Sequence, residues 1–178
     1  MMFYEEAEPW FPDVEPVQAR SRLSSTVALA TFGGLTAAAA VVGARATAMH
    51  VDDWYDGLRK PWFTPPKAVF GPLWSGLYAL IALSGWRVWR MPRSKQRRRA
   101  LVLWGAQLAL NAAWSPLFFG LRRPRSALVD LALLGAAVAA FAVMARRVDR
   151  PAAYMTLPYL GWLGFAGALN EEIVRLNA

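Results

Sequence analysis

Five apolar runs, at 25–43, 69–86, 100–119, 127–144 and 152–169, decide what this chain can fold into. Each is close to the ~20 residues that an α-helix needs to cross ~30 Å of hydrocarbon. Lipid offers no partner to backbone N–H and C=O groups, so runs of this length satisfy their hydrogen bonds internally, as helices. The connections after the second, third and fourth runs are short, which makes neighbouring helices antiparallel. A soluble bundle fails on its surface, because five helices apolar on every face leave too little polar area to cover them in water. The charged fraction agrees, at 18% against the ~25% of a soluble domain. The expected fold is an all-α membrane protein: a bundle of five transmembrane helices with a structured first loop, spanning residues 24–178.

Residues 1–23 stand apart. They hold five of the 12 acidic residues and three of the 12 prolines, a composition that reads as a disordered or surface-lying tail. An acidic start also lacks the positive n-region of a secretory signal. The net charge of +8 does not point to nucleic acid, because seven of the 20 basic residues lie within 87–99, between two apolar runs. That is the pattern of a membrane loop on the positive side, in contact with anionic lipid headgroups. Counted over the whole chain, the side shared by the N-terminus and the second and fourth loops carries twelve Lys and Arg, and the opposite side eight. The rule for positive loops then predicts a multi-pass integral protein with its N-terminus cytoplasmic and its C-terminus outside, if it sits in a bacterial inner membrane.

The first loop is the least ordinary segment. Over 54–66 it carries Trp54, Tyr55, Trp62 and Phe63 together with three prolines, which restrict the backbone. Two readings fit: a folded lid over the helix ends, or an interfacial aromatic belt that anchors the bundle. In the third run Asn111 places an amide at membrane depth, so it faces the bundle interior, either beside a cavity or as glue between helices. Trp114 and Phe118, at i+3 and i+7, share its face, and Pro116 frees a carbonyl one turn back. In the fifth run Pro158, Trp162, Ala166 and Asn170 lie four apart on one face. Large aromatic walls with small residues between them suit a flat apolar ligand; a Trp packed tightly on its neighbours is the plainer alternative. Trp74 in the second run can join this set only if the helices converge.

Other features carry less. Gly105, Ala106 and Ala109 form a small-residue stripe in the third run, suited to a homodimer or an internal helix contact. Asp130 is an intramembrane carboxylate, placed to pair with Arg122, Arg123 or Arg125 or to sit in a polar pocket. Without a second deep carboxylate it offers little for ion coupling, and five helices do not form paired inverted repeats. There are no cysteines and one histidine, His50, so thiol catalysis and Cys- or His-rich metal sites are excluded. A triad with a buried base and a Gly-rich phosphate loop are also missing. The expected state is one without a metal, without an obligatory cofactor and without catalytic residues of the acid–base kind.

Taken together, Trp54-Tyr-x-x-Leu-x-Lys-Pro-x-x-x-Pro-Pro66, Trp74, Asn111-x-x-Trp-Ser-Pro-Leu-Phe-Phe-Gly120 and Pro158-Tyr-Leu-x-Trp162 resemble the TspO/MBR family, the tryptophan-rich sensory proteins and translocator proteins. The likeness covers roughly residues 26–170. It implies a five-helix homodimer whose pocket is capped by the first loop and takes porphyrins such as protoporphyrin IX, with sterols and drug-like molecules in some members. Carried onto this chain, the pocket comprises Trp54, Tyr55, Trp74, Asn111, Trp114, Trp162, Ala166 and Leu169, and the dimer contact Gly105, Ala106 and Ala109. Trp74 and Trp162 match positions implicated in light- and oxygen-dependent porphyrin degradation. The functional expectation is a receptor or carrier with a sensory or regulatory role, with a porphyrin-degrading enzyme or a transporter as alternatives.

Overall fold

A computed structural model describes residues 22–49 and 54–178. Most of the acidic tail and His50 lie outside the described residues. The chain forms α1 (Arg22–Ala48), α2 (Lys67–Arg90), α3 (Lys95–Ser115), α4 (Pro124–Arg146), a short α5 (Arg150–Tyr154) and α6 (Leu157–Leu176). Four of these, α1 to α4, are long and apolar enough to cross a membrane. The fifth span is α6. Its charged residues Glu171, Glu172 and Arg175 are confined to the last two turns.

The bundle buries several polar side chains within an otherwise apolar core and turns large apolar side chains outward. Gln107, Asn111, Asp130 and Asn170 are buried, whereas Val27, Leu35, Val102, Val129, Leu133 and Leu157 are exposed. Such a surface is stable only against lipid. Among the described elements, α3 packs against α4 and α1, α1 against α2, and α4 against α6. Phe32, Leu77, Ile81, Trp104, Leu134, Phe141 and Tyr159 belong to the main core that these helices share.

Local chemistry sets the helix ends. Ser94 caps α3 by accepting from the Arg97 amide at 3.0 Å, and Asp149 caps α5 by accepting from the Ala152 amide at 3.2 Å, each satisfying an orphan donor of the first turn. Pro124 starts α4 where a missing N–H costs nothing. Pro116 ends α3, and the chain continues as a wider π-turn over Pro116–Gly120. The proline that frees a carbonyl one turn back thus widens the helix here. The run at 152–169 is not one helix: it breaks at 155–156 between α5 and α6. Pro158 has no N–H to offer the carbonyl of Tyr154, and Thr156 turns its hydroxyl back to the Ala153 carbonyl at 2.7 Å.

Candidate functional site

The site is built where α2 and α6 face each other. Their backbones do not pack closely along their length; aromatic rings fill the space between them. Trp74 and Trp162 meet edge to face, with ring centroids 6.3 Å apart. Trp74 also lies against Tyr78 at 5.1 Å and Tyr159 at 6.2 Å. Phe70 and Phe165 flank Trp162 at 5.7 and 5.3 Å. Trp74 and Tyr78 are four residues apart on α2, so one helix face carries both.

Asn111 reaches this group from α3. Tyr78 Oη donates to Asn111 Oδ1 at 3.0 Å, and Asn111 Nδ2 donates to Tyr159 Oη at 2.7 Å. One buried amide thus ties together α2, α3 and α6. Of the two readings left open for Asn111, these bonds show the glue: it holds three helices together beside the aromatic group.

A second group sits at the first-loop end. Trp54 and Tyr55 pack edge to face on Phe118 at 5.7 and 6.2 Å. Trp114 stacks on Phe118 at 5.1 Å. Leu169, Phe118, Phe119, Ala127 and Ile173 form the core of this cluster. The π-turn matters here, because Phe118 and Phe119 lie on it and both are buried. Trp114 packs against both clusters, and Phe165 links them on the α6 side through Phe63 at 6.1 Å. Ala166 packs against the main core, as Trp74 and Trp162 do. The eight pocket residues therefore fall into two adjoining groups rather than one ring: Trp74, Asn111, Trp162 and Ala166 in the first, Trp54, Tyr55, Trp114 and Leu169 in the second.

The first loop is folded onto the helix ends, and it is fastened. The Arg59 amide donates to Asn177 Oδ1 at 3.0 Å, and Asn177 Nδ2 returns a bond to the Arg59 carbonyl at 2.9 Å. Phe63 packs inward, whereas Trp62 is 96% exposed. Of the four aromatics in this loop, Trp62 alone is fully turned outward. Burial, with the Asp56 carboxylate as the smaller cause, pushes the Tyr55 phenol above its ordinary range. Tyr55 is therefore neutral, and its hydroxyl keeps its proton, at physiological pH. A cavity of about 370 Å³ opens at the edge of this loop between Trp54, Gly57, Leu58 and Arg122.

Several buried polar atoms have no hydrogen-bond partner: Nε1 of Trp114 and of Trp162, both amide atoms of Asn170, and Oδ2 of Asp130. Among the described residues Asp130 forms no ion pair with Arg122, Arg123 or Arg125. The reason is angular. Arg125 is five residues away on α4, and a five-residue step does not bring two side chains onto one helix face. No group of His, Asp or Glu among the described residues could hold a metal. Gly105, Ala106 and Ala109 lie outside the pocket, on an exposed face of α3.

The spacing arguments missed Tyr78, Tyr159 and Asn177. Tyr78 and Tyr159 were visible as polar aromatics beside Trp74 and Trp162, but only the fold shows that one amide joins them. Asn177 is 118 positions from its partner, and nothing local marks it.

The comparisons with known proteins agree with this architecture. The chain is 39% identical to a translocator protein of Bos taurus over 96% of its own length and 93% of the relative's. It is 40% identical to a tryptophan-rich sensory protein of Cereibacter sphaeroides over 83% of its length and 89% of the relative's. Against a tryptophan-rich protein TspO of Archaeoglobus fulgidus the identity is 43%, over 74% and 85%. The profile of the TspO/MBR family matches residues 32–176, a stretch that contains every aromatic of both clusters, and this multi-pass membrane chain belongs to that family.

Proposed function

We propose that this protein is a membrane receptor or carrier for porphyrins of the protoporphyrin IX type, with sterols and drug-like apolar molecules as further occupants. Its role on this reading is sensory or regulatory in tetrapyrrole and stress responses. The observation that carries the proposal is the edge-to-face pair of Trp74 and Trp162, 6.3 Å apart between helices whose backbones stand off from each other. Flat π-systems are held well by such walls. The unpartnered indole N–H groups of Trp114 and Trp162 supply donors for the polar edge of a ligand, since a buried donor without a partner costs free energy until something accepts from it.

The test is a titration with protoporphyrin IX in the dark, followed by Trp fluorescence, with Trp74→Phe/Trp162→Phe alongside. Saturable binding that weakens roughly tenfold in the variant is expected, from two aromatic contacts at ~0.5–1.5 kcal/mol each. Nonsaturable quenching, equal in both proteins, would mean that porphyrin merely partitions into the micelle. Illuminating the same samples addresses the second reading, porphyrin degradation by light and oxygen, which the adjacency of the two indoles favours. Turnover above that of free porphyrin, lost in the variant, would make the protein an enzyme.

The homodimer is part of the same proposal. A Cβ added at Gly105 would meet nothing within 4 Å, and Ala106 and Ala109 are exposed beside it. Close helix approach across such a face needs small residues. Gly105→Leu/Ala109→Leu is expected to convert a dimer to a monomer while leaving the melting temperature unchanged. Light scattering in detergent reads the mass, and a dimer that persists would move the contact elsewhere. The bias of Lys and Arg supports an N-terminus on the cytoplasmic side.

A further inference from the structure

The end of the bundle remote from the first loop carries a second concavity that the aromatic site does not use. It is an open surface hollow of about 670 Å³, lined by Val143, Arg146, Arg147, Val148 and Arg150. The arginines come from the last turn of α4, the turn after it, and the start of α5. The helix end does not need them as caps. The carbonyls of Met144 and Ala145 accept from the backbone amides of Arg147, Val148 and Asp149, at 3.2, 2.8 and 2.7 Å, so backbone donors already occupy that end.

The nearby carboxylate does not neutralise them either. Among the described residues Asp149 is the acidic residue at this end, and it is already engaged. Arg87 Nη2 lies 3.2 Å from its carboxylate, and the Ala152 amide donates to Oδ1 at 3.2 Å. Among the described residues no carboxylate pairs with the three guanidinium groups that line this hollow. Guanidinium forks match phosphate oxygens in geometry and charge.

The approach to the hollow is apolar. Val129, Leu133 and Val143 on α4 are 62%, 56% and 54% exposed. Steps of three and four along the helix carry this outward face onward through exposed Ala136 and Ala139, and from Val143 to Arg146 and Arg147. A hydrocarbon chain lying on that stripe would end at the arginines, at the depth where headgroups lie.

We infer that this hollow is a headgroup site for an anionic phospholipid. Arg146, Arg147 and Arg150 grip the phosphate, and an acyl chain follows Val143, Leu133 and Val129. Free phosphate shares the headgroup chemistry but has no use for the apolar stripe.

The test titrates the purified full chain in mild detergent with phosphatidylglycerol or phosphatidylcholine and counts bound lipid by native mass spectrometry. Phosphatidylglycerol should be retained about tenfold more strongly than phosphatidylcholine. Arg146→Gln/Arg147→Gln should lose roughly tenfold or more of that affinity, while Arg98→Gln/Arg99→Gln, which removes the same charge from the start of α3, should lose less than about twofold. Arg150→Gln, a single change at an exposed residue, should move in the same direction by roughly fivefold, which keeps the test informative if the double variant folds poorly. Millimolar inorganic phosphate should displace little. Equal retention of the two lipids, or equal losses in the two double variants, would reduce the hollow to general surface potential. Full displacement by inorganic phosphate would make it a site for a free anion, and either result overturns the lipid assignment.

Discussion

Gly85→Ala is expected to destabilise the protein by roughly 3 kcal/mol, while Gly76→Ala, nine residues earlier on the same helix, is expected to be neutral or slightly stabilising. The contrast follows from what a Cβ would meet. At Gly85 it would come within 2.5 Å of Trp104 Nε1, 2.6 Å of Trp104 Cε2 and 2.7 Å of Phe32 Cδ1; at Gly76 it would meet nothing within 4 Å. Trp104 cannot step aside cheaply. Its indole N–H donates to the Ile81 carbonyl at 2.8 Å, its ring stands edge to face on Phe32 at 4.7 Å, and it is 4% exposed. Moving it loses a buried hydrogen bond and strains a packed core in which α1, α2 and α3 all meet. At Gly76 only helix propensity acts, and alanine gains ~0.5–1 kcal/mol over glycine. Denaturation midpoints in one detergent, measured for both variants, decide it. Similar midpoints would mean that the α1–α2–α3 contact is looser than the structure shows.

That knot was not legible in the sequence. Gly85 looks like one of 13 glycines and Trp104 like one of nine tryptophans; neither periodicity nor spacing separates them from residues facing lipid. What was legible has a common property. Trp74, Trp162 and Asn111 violate the composition of an ordinary membrane helix at depth, either by bulk or by polarity, and such violations point inward. That the first loop is folded was legible for a similar reason, because prolines and aromatics together do not make a flexible linker. Its fastening was not, since Asn177 and Arg59 are joined only through the fold.

The break between α5 and α6 shows a different limit. Hydropathy sees 152–169 as one run, because Ala152, Ala153, Met155 and Leu157 are all apolar. The break is a matter of backbone donors, decided by Pro158 and by the Thr156 hydroxyl, and hydropathy contains no information about those. Likewise Asp130 invited a salt bridge with the arginines before it. Helical angle, which the spacing already contained, places Arg125 on another face.

Asn111→Leu is expected to cost about 1–3 kcal/mol of stability through lost hydrogen bonds, and that part of the cost should disappear in a Tyr78→Phe/Tyr159→Phe background. Leucine keeps the branch of asparagine at Cγ, and the packing cost of its bulkier methyl groups falls on both backgrounds, so the thermodynamic cycle removes it. What changes is that the Tyr78 hydroxyl loses its acceptor and the Tyr159 hydroxyl its donor, at 3.0 and 2.7 Å in the native protein. Tyr159 is 1% exposed, so water cannot stand in. Removing both hydroxyls first removes the groups that would be stranded, and a fully apolar centre is nearly as stable as a fully bonded one. Membrane bundles average less per side-chain bond than this, about 0.6 kcal/mol, but two bonds share one amide here and three helices depend on it. The thermodynamic cycle in detergent, unfolding the single and combined variants under one condition, measures the coupling directly. Additive costs would show that Asn111 stabilises the bundle by some route other than the two tyrosines. Strong coupling would mean that the floor of the aromatic site is one polar unit, and that any ligand displacing Trp74 must also disturb the joint between α2, α3 and α6.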